Sequence, residues 1–509
     1  MTAPMPHIYR TVVHMLSEAA GAAPDRVAIR CGSDELTYRD YLACVAGFAN
    51  ELGDSVRAGR VALIMANSVD MAVAFYAVGA AGAQIVPLNP AYTAHELRPI
   101  LADAAPSAIV YDVALHDVIA PIAKDIGVTR LIAIGGDKRL LAWCGQDIAL
   151  PPFPAPEALA ILQYTGGTTG RSKGVNLTHA AISINVAQRE ALLPSEDGEH
   201  VLIVTPLYHS YAIAMGLFLT PYCRGTLTVL TRYRPDDVLR VIEDDQITLF
   251  AGSPTLFVGL MGHAHFSDTN FSSLRLCFSG ASALAMETLR RWEQTTGCSI
   301  CEGYGQSEAG PVLTYNPRYG TKKPGSVGPA LPETSVEIVD TETGRTTLPL
   351  RQPGEVRVRG PQIMAGYRNL PDETAAALRD GWLYTGDIGM LDEDGYLYIQ
   401  DRKKDMVIVG GFNVYPREVE EVLCAHPAIV EAAVIGVPDS YRGETLHAHV
   451  VARSDSELTV DDLLAYTRER LTKYKVPAKL TITPSLPKTS VGKIDKVALR
   501  AQVAASAEG

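Results

Sequence analysis

The chain has 509 residues, with 45 Lys and Arg against 57 Asp and Glu, which gives a net charge of −12 at neutral pH. Hydrophobic residues make up 47% of it and charged residues 20%, a composition that supplies a large core and excludes intrinsic disorder. The acidic balance argues against a general nucleic-acid binder, because neutralising phosphates requires an excess of Lys and Arg. At about 150 residues per domain, the length predicts about three or four domain equivalents.

The eight cysteines are scattered along the chain and do not resemble the disulfide framework of a short secreted protein. Cys298 and Cys301 form one close pair, but no second pair or His partner stands at zinc spacing, so we assign them to a buried strand. Residues 1–16 lack the pattern of a secretory signal. Gly, Pro and polar residues interrupt the uncharged stretches at 71–94 and 201–223, so no transmembrane segment is expected. We therefore expect a reduced, cytoplasmic protein.

Strand-like and helix-like patterns alternate along most of the chain. A strand pattern at 60–66 precedes a helix pattern at 69–81. Further strand patterns lie at 108–111, 131–134, 200–205, 226–230, 247–251 and 274–279. Such alternation is typical of βα units around mainly parallel sheets, so we predict an α/β fold. Short strands and Gly/Asp turns predict a β-rich subdomain at about 330–400.

A charged run, Asp-Arg-Lys-Lys-Asp at 401–405, marks the predicted boundary between two domains. Residues 1–403 are predicted to form a large multi-layered N-terminal domain. Residues 404–509 are predicted to form a small mobile α+β C-terminal domain, ending in a short polar tail at 504–509. Its predicted helices lie at 416–425 and 459–471, and its strands near 430–437 and 445–452. A charged, exposed joint of this kind is a usual place for a hinge.

Residues 164–174, with the sequence Tyr-Thr-Gly-Gly-Thr-Thr-Gly-Arg-Ser-Lys-Gly, have a composition suited to binding phosphate. Glycines let backbone N–H groups turn toward one anion, threonine hydroxyls add donors, and Lys173 adds a positive charge. The segment is not a Walker P-loop, because no Gly-Lys-Ser/Thr occurs in the chain. A P-loop kinase or ATPase is therefore disfavoured.

The same loop resembles the signature of the acyl-adenylate-forming superfamily, which includes acyl-CoA synthetases, coumarate–CoA ligases, luciferases and the adenylation domains of peptide synthetases. Further segments resemble its other motifs and follow their order, at 303–308, 382–387, 401–405, 410–416 and 487–493. Ser307 stands where a threonine is usual, and the hydroxyl is kept. Matches in this order identify the chain as a member of the superfamily, similar to its acyl-CoA synthetase and coumarate–CoA ligase branch.

The resemblance implies an acid–thiol ligase that uses ATP, Mg²⁺ and CoA. In the superfamily, a carboxylate attacks the α-phosphate of ATP to give acyl-AMP and pyrophosphate, and a thiol then displaces AMP. The implied catalytic residues are Lys493, Glu308, His209 and Lys173, with Glu308 also as the Mg²⁺ ligand. Because the first step gathers negative charge, it needs cations and N–H donors arranged beforehand.

The implied nucleotide-binding residues come from several motifs. Tyr304 would lie against adenine, Asp387 would accept the ribose hydroxyls, and Arg402 would reach the ribose or a phosphate. The full implied set is Thr165, Gly166, Gly167, Thr168, Thr169, Gly170, Ser279, Gly280, Ala281, Gly303, Tyr304, Gly305, Ser307, Asp387 and Arg402.

Lys404 occupies the hinge position implied by the resemblance. Rotation of the C-terminal domain there, after adenylation, would withdraw Lys493 from the site. Gly410, Gly411 and Phe412 would then enter and help to form the tunnel for the pantetheine arm of CoA.

His209 resembles a gate between the acyl site and the CoA tunnel. The implied acyl pocket contains Tyr211, Phe257, Pro311 and Val312. We find no Arg or Lys among the acyl-wall segments that would bind a second carboxylate, and we interpret Arg275 as structural because it opens a strand. These residues favour an apolar monocarboxylic acid. We predict a fatty acid of medium or long chain.

Several alternatives remain open at this stage. The acid could be an aryl or hydroxycinnamate-type acid, and the acceptor could be a separate carrier protein in place of CoA. Luciferase-like oxidation, a non-catalytic nucleotide-binding protein and an ATPase that yields ADP are less favoured. As partners we expect a small carboxylic acid, ATP and CoA, with no nucleic acid, and we include a homodimer among the expected assemblies.

Overall fold

The structure is a computed structural model that describes residues 4–165, 172–280, 282, 284–409, 412–439, 442–453, 456, 458–489 and 492–507. A π-helical turn, Ile213–Phe218, joins two short helices. In chain order the helices are α1 (Val12–Ala22), α2 (Tyr38–Leu52), α3 (Val69–Ala80), α4 (Ala94–Ala104), α5 (His116–Ile126), α6 (His179–Leu192), α7 (Ser210–Ala212), α8 (Leu219–Tyr222), α9 (Pro235–Asp244), α10 (Pro254–Met261), α11 (Met286–Thr296), α12 (Pro371–Ala377), α13 (Pro416–Cys424), α14 (Val460–Arg470) and α15 (Lys496–Ala507).

The strands also follow the predicted alternation. They are β1 (Val27–Cys31), β2 (Asp34–Thr37), β3 (Arg60–Ile64), β4 (Gln84–Leu88), β5 (Ala108–Asp112), β6 (Leu131–Ile134), β7 (Leu159–Thr165), β8 (Lys173–Thr178), β9 (His200–Ile203), β10 (Thr226–Val229), β11 (Leu249–Gly252), β12 (Leu276–Ser279), β13 (Ile300–Tyr304), β14 (Thr314–Tyr315), β15 (Ser335–Val339), β16 (Gly354–Arg359), β17 (Gly366–Tyr367), β18 (Leu378–Arg379), β19 (Trp382–Leu391), β20 (Leu397–Arg402), β21 (Val407–Val409), β22 (Phe412–Val414), β23 (Ile429–Asp439), β24 (Gly443–Ala452) and β25 (Lys479–Ile482).

Two large, mainly parallel sheets form the body of the molecule. The first has the order β14-β13-β12-β11-β9-β10-β1-β2, and its strands are parallel from β13 to β1. The second has the order β17-β8-β7-β4-β3-β5-β6, and it is parallel from β7 to β6. These sheets confirm the predicted α/β fold.

Helix α3 shows how sequence builds this core. Its hydroxyl cap, Ser68, accepts a hydrogen bond from the Met71 amide at 3.0 Å and starts the helix. Every residue of α3 is buried, which agrees with an apolar composition on all sides. Asp70 is the one charged residue of this helix, and its Oδ2 accepts a hydrogen bond from Arg139 Nε at 2.6 Å.

Two smaller sheets follow. The third, β15-β16-β19-β18 with β20 beside β19, is antiparallel and agrees with the β-rich segment predicted near 330–400. The fourth, β22-β21-β24-β23 with β25 beside β24, is built from segments after residue 406. The division at 403 and 404 into separately moving domains stays a prediction.

The C-terminal helix α15 extends into the segment predicted as a polar tail, residues 504–509. Leu499 and Val503 pack with Ala433 and Ile435 of β23, so an apolar stripe among alanines anchors the helix. No helix among the described residues is long and apolar enough to cross a bilayer.

Candidate active site

A cavity of about 1680 Å³ lies at the carboxyl ends of the parallel strands and extends to the fourth sheet. Strands β7, β12 and β13 each end at its wall, the place where α/β sheets bind ligands. Many of the residues predicted from the motifs line it together: Thr165, Lys173, His209, Tyr211, Gly280, Gly303, Tyr304, Gly305, Ser307, Glu308, Pro311, Val312, Asp387, Arg402, Lys404 and Lys493.

The predicted nucleotide wall is centred on Asp387 of β19. The Tyr304 hydroxyl donates to Asp387 Oδ2 at 2.6 Å, and Arg402 Nε lies 4.0 Å from Asp387 Oδ1. Burial raises the pKa of Asp387, whereas Tyr304 and Arg402 act to lower it. A partly desolvated carboxylate of this kind is suited to accept hydrogen bonds from the hydroxyls of a ribose.

Glu308 lies in a short 3₁₀ turn directly after β13. Its Oε1 accepts a hydrogen bond from the Tyr367 hydroxyl at 2.9 Å. Lys173 Nζ lies 5.1 Å from the centre of the same tyrosine ring, within reach of a cation–π contact. The Ser307 hydroxyl lies 3.3 Å from that of Ser210. Tyr367 therefore connects the predicted phosphate lysine to the predicted metal ligand.

The carboxylate of Glu308 fits a magnesium ion that arrives with ATP. Mg²⁺ binds one or two carboxylates together with phosphate oxygens and water. The described residues contain no group of three His, Cys, Asp or Glu side chains that could hold a metal. Glu308 is the residue predicted to hold the ion, and its carboxylate lies at the cavity wall.

Gly305 allows the turn that aims Glu308 into the cavity. A Cβ atom at this position would lie 1.9 Å from the carbonyl oxygen of Pro311. No side chain can occupy that space without moving the backbone, so the close approach requires glycine.

Lys493 enters the cavity from the C-terminal side on the loop before α15. The Thr255 hydroxyl of α10 donates to the Gly492 carbonyl at 2.6 Å and ties this loop to the large part of the molecule. Burial lowers the pKa of Lys493 to about 8, and Arg402 contributes in the same direction while Asp387 opposes it.

His209 lies near the same lysine. Burial, followed by the Lys493 charge, lowers the pKa of the His209 imidazole to about 3, so the ring is neutral at physiological pH. Its Nδ1 accepts a hydrogen bond from the Tyr211 amide at 3.3 Å. A neutral ring beside the acyl wall is compatible with the predicted gate, which stays a prediction.

Two tyrosine rings at the cavity wall, those of Tyr211 and Tyr315, pack against two glycines of the predicted nucleotide-binding set. The Tyr211 hydroxyl donates to the Phe278 carbonyl at 3.1 Å, which fixes its ring. A Cβ at Gly280 would lie 2.7 Å from that ring, and a Cβ at Gly303 would lie 2.5 Å from the ring of Tyr315. The rings therefore occupy space that any larger residue at either glycine would need.

Two predicted site residues lie away from the cavity, which corrects their assignment. Phe257 is fully buried in an aromatic core, 4.8 Å from the ring of Trp292. Phe257 belongs to α10 and its side chain packs into this core, so the structure does not place it on the cavity wall. Ser279 is also fully buried, and its hydroxyl has no partner among the described residues, so it lies behind the nucleotide wall.

The remaining predicted residues divide into two groups. Phe412 is 56% exposed and its ring stacks on Tyr474 at 4.6 Å, outside the cavity. Its predicted entry into a CoA tunnel requires another arrangement and stays a prediction. The following predicted residues lie outside the described part of the chain: Gly166, Gly167, Thr168, Thr169, Gly170, Ala281, Gly410 and Gly411.

Other expectations concern residues beyond the cavity. Arg275 forms ion pairs with Glu196 and Glu199, which agrees with its structural interpretation. Cys301 lies in β13 and is fully buried, as expected for a strand residue. The thiols of Cys277 and Cys298 lie 3.7 Å apart.

Tyr367 is a site residue that the sequence reasoning missed. Strand β17 pairs antiparallel with β8 and places Tyr367 opposite Val175, two residues beyond Lys173. A short Gly-Tyr strand followed by Arg-Asn was the available signal, but nothing in it indicated pairing with a segment so distant in the chain.

Comparisons with known proteins agree with this geometry. The AMP-binding enzyme family matches residues 16–368, and the C-terminal domain of AMP-binding enzymes matches residues 418–493. The long-chain-fatty-acid–CoA ligase of Bacillus subtilis (strain 168) is 38% identical, over 96% of this chain and 94% of its own. The feruloyl-CoA synthase of Amycolatopsis sp. is 35% identical, over 94% and 96%.

Solved structures are similar over nearly the whole chain. ATP-bound MatB from Rhodopseudomonas palustris superposes with a TM-score of 0.90 at 33% identity, covering 97% of this chain and 98% of its own. Apo MatB from the same organism covers the same shares at 34% identity, with a TM-score of 0.81. The present arrangement is thus more similar to the ATP-bound structure. From its motifs, its cavity and these relatives, the chain belongs to the AMP-binding enzyme family.

Proposed function

We propose that this protein is an ATP-dependent, AMP-forming carboxylic acid–CoA ligase, and that its acid is a fatty acid of medium or long chain. The observation that carries the proposal is that the Lys493 side chain lines the same cavity as Glu308, Asp387 and His209. A cation, an acidic metal ligand and a ribose acceptor around one cavity are the groups that adenylation requires.

The reaction has two balanced steps. A carboxylate oxygen forms a bond to the α-phosphorus of ATP as the bond to the bridging oxygen breaks, which releases pyrophosphate. The sulfur of CoA then attacks the acyl carbon of acyl-AMP, and the carbon–oxygen bond to AMP breaks. The thiol proton passes to solvent, and AMP leaves as the anion.

Each residue has a part in the first step. Lys493, as an ammonium, would lie between the two anions and reduce their repulsion as they approach. Lys173 and Thr165 would bind phosphate oxygens, and Asp387 would hold the ribose. Mg²⁺ held by Glu308 supplies charge neutralisation to the phosphates when it is bound.

The acid is proposed to be apolar from the character of the acyl wall. Tyr211, Pro311 and Val312 line it, with Val258 and Met261 nearby in the same cavity. Arg275 cannot bind a second carboxylate there, because Glu196 and Glu199 already engage it. The similarity to long-chain-fatty-acid–CoA ligases supports a fatty acid.

The second candidate is an aryl or hydroxycinnamate-type acid. The observation in its favour is the similarity to a feruloyl-CoA synthase. A further alternative is an enzyme that loads a separate carrier protein. It would form the same acyl-AMP, but the thiol that accepts the acyl group would belong to the carrier protein and not to CoA.

A single panel tests these proposals. The protein is incubated with ATP, Mg²⁺, CoA and one acid at a time, with straight chains of increasing length and with hydroxycinnamates. AMP together with a fatty acyl-CoA supports the proposal. Higher turnover with hydroxycinnamates selects the second candidate, and AMP formation without transfer to CoA selects the carrier protein. ADP as product, or no acid-dependent turnover, overturns all three.

We also propose a cytoplasmic location and a homodimer. The homodimer is tested by light scattering during gel filtration, in which a mass near 54.6 kDa would indicate a monomer instead. The location is tested by cell fractionation.

A further inference from the structure

Helix α13 meets the large part of the molecule through one nearly buried arginine. Arg417, next to the first residue of the helix, has 11% of its side chain exposed. Its Nη1 donates to the carbonyl of Ile399, and its backbone amide donates to Asp401 Oδ2 at 3.0 Å. Both partners belong to β20, on the other side of Lys404. The arginine therefore spans the predicted hinge.

A buried carboxylate lies across the same interface. Glu302 of β13 is 6% exposed, and its Oε1 accepts a hydrogen bond from the Leu284 amide at 2.9 Å. Burial raises the pKa of Glu302 to about 7, and Arg417 is the positive charge that acts to lower it. Arg417 therefore favours the ionised form of Glu302 from the opposite side of the interface, whereas burial disfavours it.

On its own helix the arginine is held by a second carboxylate. Arg417 Nε donates to Glu421 Oε1 at 3.1 Å, one turn further along α13. The guanidinium is thus hydrogen-bonded both to the large part, at Ile399, and to the small part, at Glu421. Arg417, Glu421 and Glu302 all line the cavity.

The same helix is connected to the lysine that enters the site. Lys496 Nζ forms an ion pair with Glu420 Oε1 at 2.8 Å, and both side chains are about one-fifth exposed. Lys496 begins α15 directly after the loop that carries Lys493. Contacts therefore run from β20, through Arg417, α13 and Lys496, to Lys493.

We infer that Arg417 is a positioning residue, which holds α13 against β20 and thereby keeps Lys493 inside the cavity during adenylation. The inference rests on the proposed function for its effect on turnover. Rotation about Lys404 would carry Arg417 away from Ile399 and Glu302, because these remain with the large part. The side-chain contacts of Arg417 thus belong to the arrangement that adenylates.

The half-reactions test this role. We expect Arg417→Ala to slow acid-dependent pyrophosphate release about tenfold, the effect of losing hydrogen bonds to a charged group. The variant keeps the backbone contact with Asp401, so the loss reports the side chain alone. Thioester formation from chemically prepared acyl-AMP and CoA should stay unchanged or become faster. Arg417→Lys, which keeps the charge, should recover part of the adenylation rate.

The matched control is Arg468→Ala, which removes an exposed arginine from α14 and should change neither half-reaction. Equal losses in both half-reactions of Arg417→Ala, or no loss in either, would overturn the inference. Thermal melting of each variant shows whether the fold is retained. If Arg417→Ala unfolds, the two half-reactions of Arg417→Lys are compared instead.

A structural readout separates this inference from the proposed function. A Cβ at Gly492 would lie 4.0 Å from the Thr255 Cβ, a spacing that a disulfide can bridge, so a Thr255→Cys, Gly492→Cys pair reports how often Lys493 is in place. Gly492 has a φ of +79°, which strains any side chain there, so all yields are compared within the same double-cysteine background. The exposed Cys144 is first changed to Ser. We expect Arg417→Ala to lower the cross-linking yield in this background, and Arg468→Ala to leave it unchanged.

An unchanged yield with Arg417→Ala would refute the positioning role, whichever acid is used. If no acid gives AMP but the yield still falls, the proposed function fails and the positioning role stands.

Discussion

The two sides of the cavity are built in different ways. On the large side, Thr165, Tyr304 and Gly280 lie at or directly after the ends of strands in two wide sheets. On the small side, Lys493 lies on a loop that reaches the cavity through a few polar contacts, at Thr255 and across Arg417. The cavity surface on the large side is therefore fixed by the core, whereas the predicted catalytic charge lies on a loop that depends on a few contacts across an interface.

The largest effect is expected from removing the positive charge of Lys493. Lys493→Ala should lower the rate of adenylation about 1000-fold, because the approach of two anions loses its cation. Thioester formation from prepared acyl-AMP should be retained, since the lysine is not needed there. Pyrophosphate release and thioester formation are measured separately. Lys473→Ala, an exposed lysine of the same part, is the control, and normal pyrophosphate release by Lys493→Ala would contradict its assignment.

The next largest effect should come from stiffening the hinge. Lys404→Pro should slow thioester formation about 100-fold, because misplacing the groups that bind CoA in the thioester-forming arrangement costs about that much. It should affect adenylation less. The same two assays give the ratio of the effects. Equal loss in both half-reactions would count against alternation of the two parts.

The pH dependence of adenylation tests the role of Lys493 without any substitution. Lys493 has a pKa of about 8 in this arrangement, and the ammonium form is the active one. The rate of adenylation should therefore be highest below pH 8 and should fall about tenfold by one unit above it. His209, with a pKa of about 3, stays neutral across this range. A flat profile between about pH 7 and 9.5 would show that Lys493 does not titrate in the reaction.

The smallest effect should come from a substitution on the large side of the cavity, at Tyr367. Tyr367→Phe removes the hydrogen bond to Glu308 but keeps the ring beneath Lys173, so we expect about a fivefold rise in the KM for MgATP. Tyr319→Phe, at a tyrosine that is 67% exposed, is the control. An unchanged KM would mean that the tyrosine does not orient Glu308.

The sequence allowed prediction of the fold class and of the motif residues that meet at the cavity, because most of these motifs stand at the ends of strands. Lys173, Glu308, Asp387 and Lys493 are far apart in the chain and still meet at one cavity. Their catalytic roles stay predictions that the assays above address.

Other features depend on contacts that no local pattern contains. Tyr367 joins the site through the pairing of β17 with β8, and Arg417 of α13 bonds to Ile399 of β20 across the predicted boundary. Phe257 was misassigned because an apolar residue after Ser-Pro can face either a pocket or the core, and Trp292 occupies the core side. Helix α15 escaped notice because alanines and polar residues hide its short apolar stripe.

The pairing of glycines with tyrosine rings has a consequence for how acid preference could evolve. Enlarging Gly280 or Gly303 places atoms inside the ring of Tyr211 or Tyr315, so a lineage that narrows this wall must change two positions together. Trimming either ring needs only one change and leaves room behind it. At these two places, a larger cavity therefore needs one substitution, whereas a smaller one needs two.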